Sequence, residues 1–210
     1  MNESEKLLSE LKEIREIMNR SSRFLSLSGL SGILVGLYAF IGASLAYRLV
    51  YIQFPTNYQQ EYEFVNEIII QLSVVGISVL VLSLFTIFIL TIKQARKEQK
   101  SIWGPGSKLL LLSLLIPLNT GGILILTFIL HGYYDMLSST FLIFYGLALV
   151  NAAKYTRAEI LGLGIVEIIL GLIAAIFPEY GLYLWAIGFG VLHIIYGFIF
   201  IRGESKNTIK

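Results

Sequence analysis

The sequence predicts an all-α, polytopic membrane protein: six transmembrane helices arranged as three hairpins, plus an N-terminal amphipathic cytoplasmic helix. Three observations carry that reading. The 210 residues are 56% hydrophobic and only 14% charged, against about 25% charged in soluble domains, and the mean hydropathy is +0.75. Six runs, at 25–51, 67–92, 108–131, 135–153, 158–177 and 181–201, approach or exceed the about 20 mainly apolar residues that one bilayer crossing needs. Lysine and arginine gather before the first run, after the second, after the fourth and after the sixth.

Residues 1–23 form the first element. Leu7, Leu11, Ile14 and Met18 are spaced by four, three and four, an apolar stripe on a charged helix, and Asn2 and Glu5 have capping-box spacing. Such a helix lies on the membrane surface or packs on the cytoplasmic loops, or pairs with another copy as a short coiled coil. Its dense charge excludes the basic n-region and short apolar h-region of a cleaved signal peptide. Residues 24–201 are the six-helix domain, and 202–210 are a cytoplasmic tail. Within the domain, ARKEQKSIWGPGSK is the one long linker, because charge followed by Gly-Pro-Gly stops a helix. It separates two spans from four. In PLNTGG, Pro117 has no amide to donate, so a kink or interruption is expected in the third span. Thr156 and Glu159 have capping-box spacing at the start of the fifth. His131 closes the third span beside Gly132, where it is expected to face water.

Orientation follows from the basic residues, since short loops rich in them stay in the cytoplasm. Fifteen of the sixteen fall on one side if there are six spans, leaving Arg48 alone near the other. Both termini are therefore expected in the cytoplasm. The opposite side reads YIQFPTNYQQEYEFVNE, HGYYD and PEYGLY, aromatic and acidic, as headgroup-level anchors do. The net charge of +2 is no nucleic-acid signal, because topology and the attraction of anionic lipid account for it. No Gly-rich phosphate loop follows a strand. With no cysteine, disulfides, thiol nucleophiles, iron–sulfur clusters and Cys-ligated zinc are excluded, and no cofactor or metal is expected.

Small residues mark packing faces. Gly29, Gly32 and Gly36 in the first span, Gly164 and Gly171 in the fifth, and Gly190 and Gly197 in the sixth recur at helical spacing, which lets helix backbones approach closely. Residues 29–43 (GLSGILVGLYAFIGA) also align without gaps on 164–178 (GIVEIILGLIAAIFP), with Gly, Ile, Gly, Leu, Ala and Ile coinciding. A parallel duplication of helical hairpins would produce that match, with three hairpins around an axis.

One polar residue interrupts the run LGIVEIILGLIAAIFP. Glu167 shares a helix face with Gly164 and Gly171, so it is expected to point into protein. Counting from the turn near PEYG places His193 at matching depth, on the small-residue stripe of the sixth span. An unpaired charge at the bilayer centre costs about 3 kcal/mol on insertion scales, which a partner or a proton offsets. A Glu167–His193 hydrogen bond is the natural expectation, with Asn119 and Thr120 adding polarity at similar depth. The pair either fixes helix register or answers to protons, histidine being the side chain that changes charge near neutral pH.

The hairpin GLGIVEIILGLIAAIFPEYGLYLWAIGFGVLHIIYGFIF, through Gly171, Pro178, Gly188 and Gly197, resembles the repeat hairpin of the HdeD-like acid-resistance membrane proteins. Through RSSRFLSLSGLSG and GFGVLHIIYG the whole chain is similar to small six-span Bacteroidetes membrane proteins of unknown function. The resemblance implies a compact protein of the bacterial inner membrane with a role in envelope or acid stress; PLNTGG and the charged N-terminal helix depart from the HdeD-like pattern. Three function classes follow. The first is a non-enzymatic assembly or sensing protein, with the lipid bilayer and a homo-oligomer as partners. The second is a transporter or channel for protons or a small solute around Glu167, His193 and Asn119. The third, an intramembrane enzyme, lacks ligands: there are only two histidines and no HExxH.

Overall fold

A computed structural model describes residues 28–52, 61–97, 99, 103–157 and 159–207. The amphipathic helix expected over 1–23 and the last tail residues lie outside them. Six helices are long and apolar enough to cross a membrane: span one, Gly29–Ile52; span two, Glu67–Lys97; span three, Gly106–Leu130; span four, Tyr134–Tyr155; span five, Glu159–Ile176; and span six, Pro178–Arg202. The chain is an all-helical integral membrane protein.

Local chemistry sets the ends. Span two belongs to a helix that begins at Glu61 and finishes with Arg96 and Lys97, cations suited to the negative end of the helix dipole. Pro105 opens the next helix, where its missing N–H costs nothing, and the Gly104 N–H donates to Ser107 Oγ at 2.8 Å. Of the kink or interruption expected at Pro117, the interruption does not occur: one helix runs from Pro105 to Leu130. Gly132, at φ +76°, takes the left-handed conformation that turns the chain after His131. His131 is exposed; its Nδ1 lies 2.8 Å from the Thr127 carbonyl and its ring stacks on Tyr133. Thr156 does not cap span five. Its hydroxyl donates back to the Ala152 carbonyl at 3.2 Å, so it finishes span four instead.

Packing follows an order that differs from the chain order. Span two packs on span one, span one on span six, span six on spans four and five, and span three on span four. The hairpins survive as consecutive antiparallel spans. The most extensive seams, however, join different hairpins, four with five and one with six. Spans two and three each pack chiefly on one neighbour, so the bundle is an open row and not three hairpins closed around an axis.

The glycines explain both seams. A Cβ on Gly29 would stand 2.6 Å from the Gly197 carbonyl oxygen, and one on Gly197 would stand 2.7 Å from that of Gly29. Gly164 and Gly146 form the same reciprocal contact at 2.8 and 2.7 Å. Each of these four glycines also faces a β-branched residue four positions beyond its partner: Ile201, Ile33, Val150 and Ile168. One motif thus occurs twice, and Gly29 and Gly164, which coincide in the sequence match, hold the same place in it. Gly36 lies against Gly190, Gly32 against Gly197 and the His193 carbonyl, and Gly171 against Leu142 and Ile143. The small faces of spans five and six therefore do not touch each other, as their common depth suggested; span five turns its face to span four and span six turns its face to span one.

Candidate functional site: a buried carboxyl, imidazole and phenol

Glu167 lies at the middle of span five and is fully buried. Its room comes from a neighbour without a side chain. A Cβ at position 188 would meet the Glu167 Oε2 oxygen, with Leu142 beside it. Leu142 of span four is itself completely enclosed. The carboxyl therefore reaches across from the span four–five seam into span six.

Span six prepares for this by changing its winding. Residues Ala186–Leu192 form a π-helical segment between two α-helical stretches. In an α-helix, residues five apart point about 140° away from each other; the wider π turn brings the fifth residue back to the same side. His193 Nδ1 consequently sits 3.0 Å from the Gly188 carbonyl oxygen. On the other edge of the ring, Nε2 lies 2.7 Å from the Tyr145 hydroxyl of span four. The rings of Tyr145 and Phe189 flank His193, with centroids 5.4 and 5.9 Å away, and Trp185 continues the aromatic column.

These contacts fix how protons can sit. A carbonyl only accepts, so Nδ1 carries a proton and donates to Gly188. In a neutral ring Nε2 then accepts from the Tyr145 O–H; in a cationic ring Nε2–H donates to the Tyr145 oxygen. One arrangement of heavy atoms accommodates both states. Glu167 Oε1 is 3.7 Å from His193 Nδ1, outside hydrogen-bond reach. The expected direct Glu167–His193 hydrogen bond is thus replaced by a close approach, because Gly188 has already taken the Nδ1 proton. Both Glu167 oxygens are buried with no hydrogen-bond partner.

Asn119 and Thr120 do not join the pair. Both are exposed on the outer side of span three, which packs on span four, and Thr120 donates its hydroxyl to the Ile116 carbonyl in its own helix at 2.9 Å. They share the depth of Glu167 but not its direction. Tyr145, which the sequence reading passed over, takes their place. Its signal was available: it is a tyrosine near the middle of an apolar run, away from the headgroup level where tyrosines gather, and such a tyrosine needs a hydrogen-bond partner.

No family model, curated protein or solved structure matches this chain.

Proposed function

We propose that this is a non-enzymatic membrane sensor that answers to protons through Glu167, His193 and Tyr145, and that it assembles with copies of itself. The observation that carries the sensing reading is a mid-span carboxyl with two orphaned oxygens, 3.7 Å from a ring nitrogen committed elsewhere. One proton shared between carboxyl and imidazole keeps the pair neutral. Gaining or losing one leaves a net charge at the bilayer centre, at a cost of about 3 kcal/mol. The titratable groups facing it, among the described residues, are those of the cluster itself. That cost falls on the junction of spans four, five and six, which can relieve it by opening toward water.

Hydrogen exchange on the reconstituted protein tests this. Between about pH 5 and pH 8, the range in which histidine sites change charge, backbone protection in spans four to six is expected to shift in the wild type and to stay flat in Glu167→Gln. Matching pH profiles in the two proteins would overturn the sensing role. Proton flux in liposomes that disappears in Glu167→Gln would replace sensing with transport.

The assembly reading rests on Asn119. It is mid-span and exposed, and its amide both donates and accepts, so two copies satisfy one another. Interhelical bonds of this kind contribute about 0.6 to 2 kcal/mol. Asn119→Leu is expected to move the protein toward monomer in mild detergent, as read by light scattering. An unchanged oligomer distribution would remove Asn119 from the interface.

A further inference from the structure

Away from the Glu167 cluster, spans one and two leave a groove between them. Its outer part has a volume of about 670 Å³, with Leu45, Arg48, Ile70, Gln71 and Val74 on its walls. An inner part of about 230 Å³ shares Leu45, Val74 and Val75 and continues past Ser78 to Leu82. The outer volume lies within the roughly 300–1,000 Å³ of small-molecule sites. Apart from Arg48 and Gln71, the outer walls are aliphatic.

The depth of the polar end is set by helix geometry. Arg48 follows a 19-residue helix starting at Gly29, about 28 Å of rise, close to the hydrocarbon thickness of about 30 Å. Tyr47, Tyr51 and Tyr183 cluster at the same level, as an interfacial aromatic belt does. Arg48 thus stands at headgroup height, on a π-helical turn, Arg48–Ile52. It is exposed and forms no ion pair among the described residues.

The rim also carries the opposite charge. Gln71 donates its amide to Glu67 Oε1 at 3.2 Å, which leaves the Gln71 carbonyl oxygen and the second Glu67 oxygen as acceptors. A guanidinium on one wall and, one helical turn beyond Gln71 of the other wall, a carboxylate hydrogen-bonded to it match a headgroup with a phosphate and a primary ammonium. A purely anionic headgroup would meet Glu67, and a quaternary ammonium has no N–H to offer these acceptors.

We propose that the groove binds one phosphatidylethanolamine molecule. Its phosphate lies on Arg48, its ammonium faces Glu67 and Gln71, and one acyl chain runs between spans one and two toward Leu82. This is independent of the proton-sensing reading, which concerns the junction of spans four, five and six.

Native mass spectrometry of the purified protein, titrated with phosphatidylethanolamine, phosphatidylcholine and phosphatidylglycerol of equal chain length, tests it. One phosphatidylethanolamine per chain is expected to be retained about tenfold more tightly than either other lipid. Arg48→Ala weakens retention about tenfold, Arg48→Lys restores most of it, and Glu67→Gln erases the preference over phosphatidylcholine. Val74→Trp, which fills the groove from an exposed position, abolishes retention while the unfolding midpoint stays near wild type. Equal retention of all three lipids, or retention indifferent to both Arg48→Ala and Val74→Trp, would mean ordinary annular lipid and overturn the proposal. Displacement of the lipid by inorganic phosphate would overturn it too, by showing that no chain is held.

Discussion

Gly164→Val is expected to destabilise the protein by about 3 kcal/mol, the upper part of the usual range for overpacking. The new Cβ would stand 2.8 Å from the Gly146 carbonyl oxygen and 2.9 Å from the Val150 amide nitrogen. These are backbone atoms and cannot rotate aside, so spans four and five must separate along their most extensive seam. The partner change, Gly146→Val, should cost a similar amount, because the contact is reciprocal. Gly76 and Gly122 provide the control: a Cβ at either meets nothing within 4 Å, and valine there should change stability by no more than about 0.5 kcal/mol. Reversible unfolding in mixed micelles measures all four. Equal midpoints for Gly164→Val and Gly122→Val would show that the seam is not held at backbone distance.

Glu167→Met is expected to act in the opposite direction, raising stability by about 1–3 kcal/mol. Methionine has comparable length and adapts to irregular space, and it removes two buried oxygens that have no partner. His193 loses nothing, since its two ring nitrogens remain on Gly188 and Tyr145. The same substitution should abolish the pH-dependent change in protection. Greater stability with lost response is the signature of a residue retained for function at a cost in folding energy. A destabilised Glu167→Met protein would instead show that the carboxyl supports the fold.

Much of this was legible along the chain. Gly29, Gly36, Gly164, Gly171, Gly190 and Gly197 were readable as packing residues because their spacing places them on single faces, and each does meet a neighbouring helix closely. Gly146 was not: it stands without a partner glycine at helical spacing in its own span, and its role appears only opposite Gly164. Glu167 and His193 were readable as neighbours because both are polar and equally far from one turn. Their missing hydrogen bond was not, because it depends on the π-helical segment that gives Nδ1 to Gly188. Asn119 was grouped with the pair and Tyr145 was missed for one reason. Both lie near mid-span, and only the rotation of each helix about its axis turns Tyr145 inward and Asn119 out.

Composition and residue counting established that the chain is an all-helical membrane protein, that it has six helices able to span, and where along its span each polar group lies. Depth is a one-dimensional quantity, fixed by a constant rise per residue against a bilayer of nearly constant thickness. Which spans touch, and which side of each faces the other, came from the fold alone. Lipid is as apolar as the side chains it surrounds, so hydrophobicity cannot rank one helix pairing over another. That choice is made by close backbone contacts such as Gly146 with Gly164, between residues that no local pattern connects.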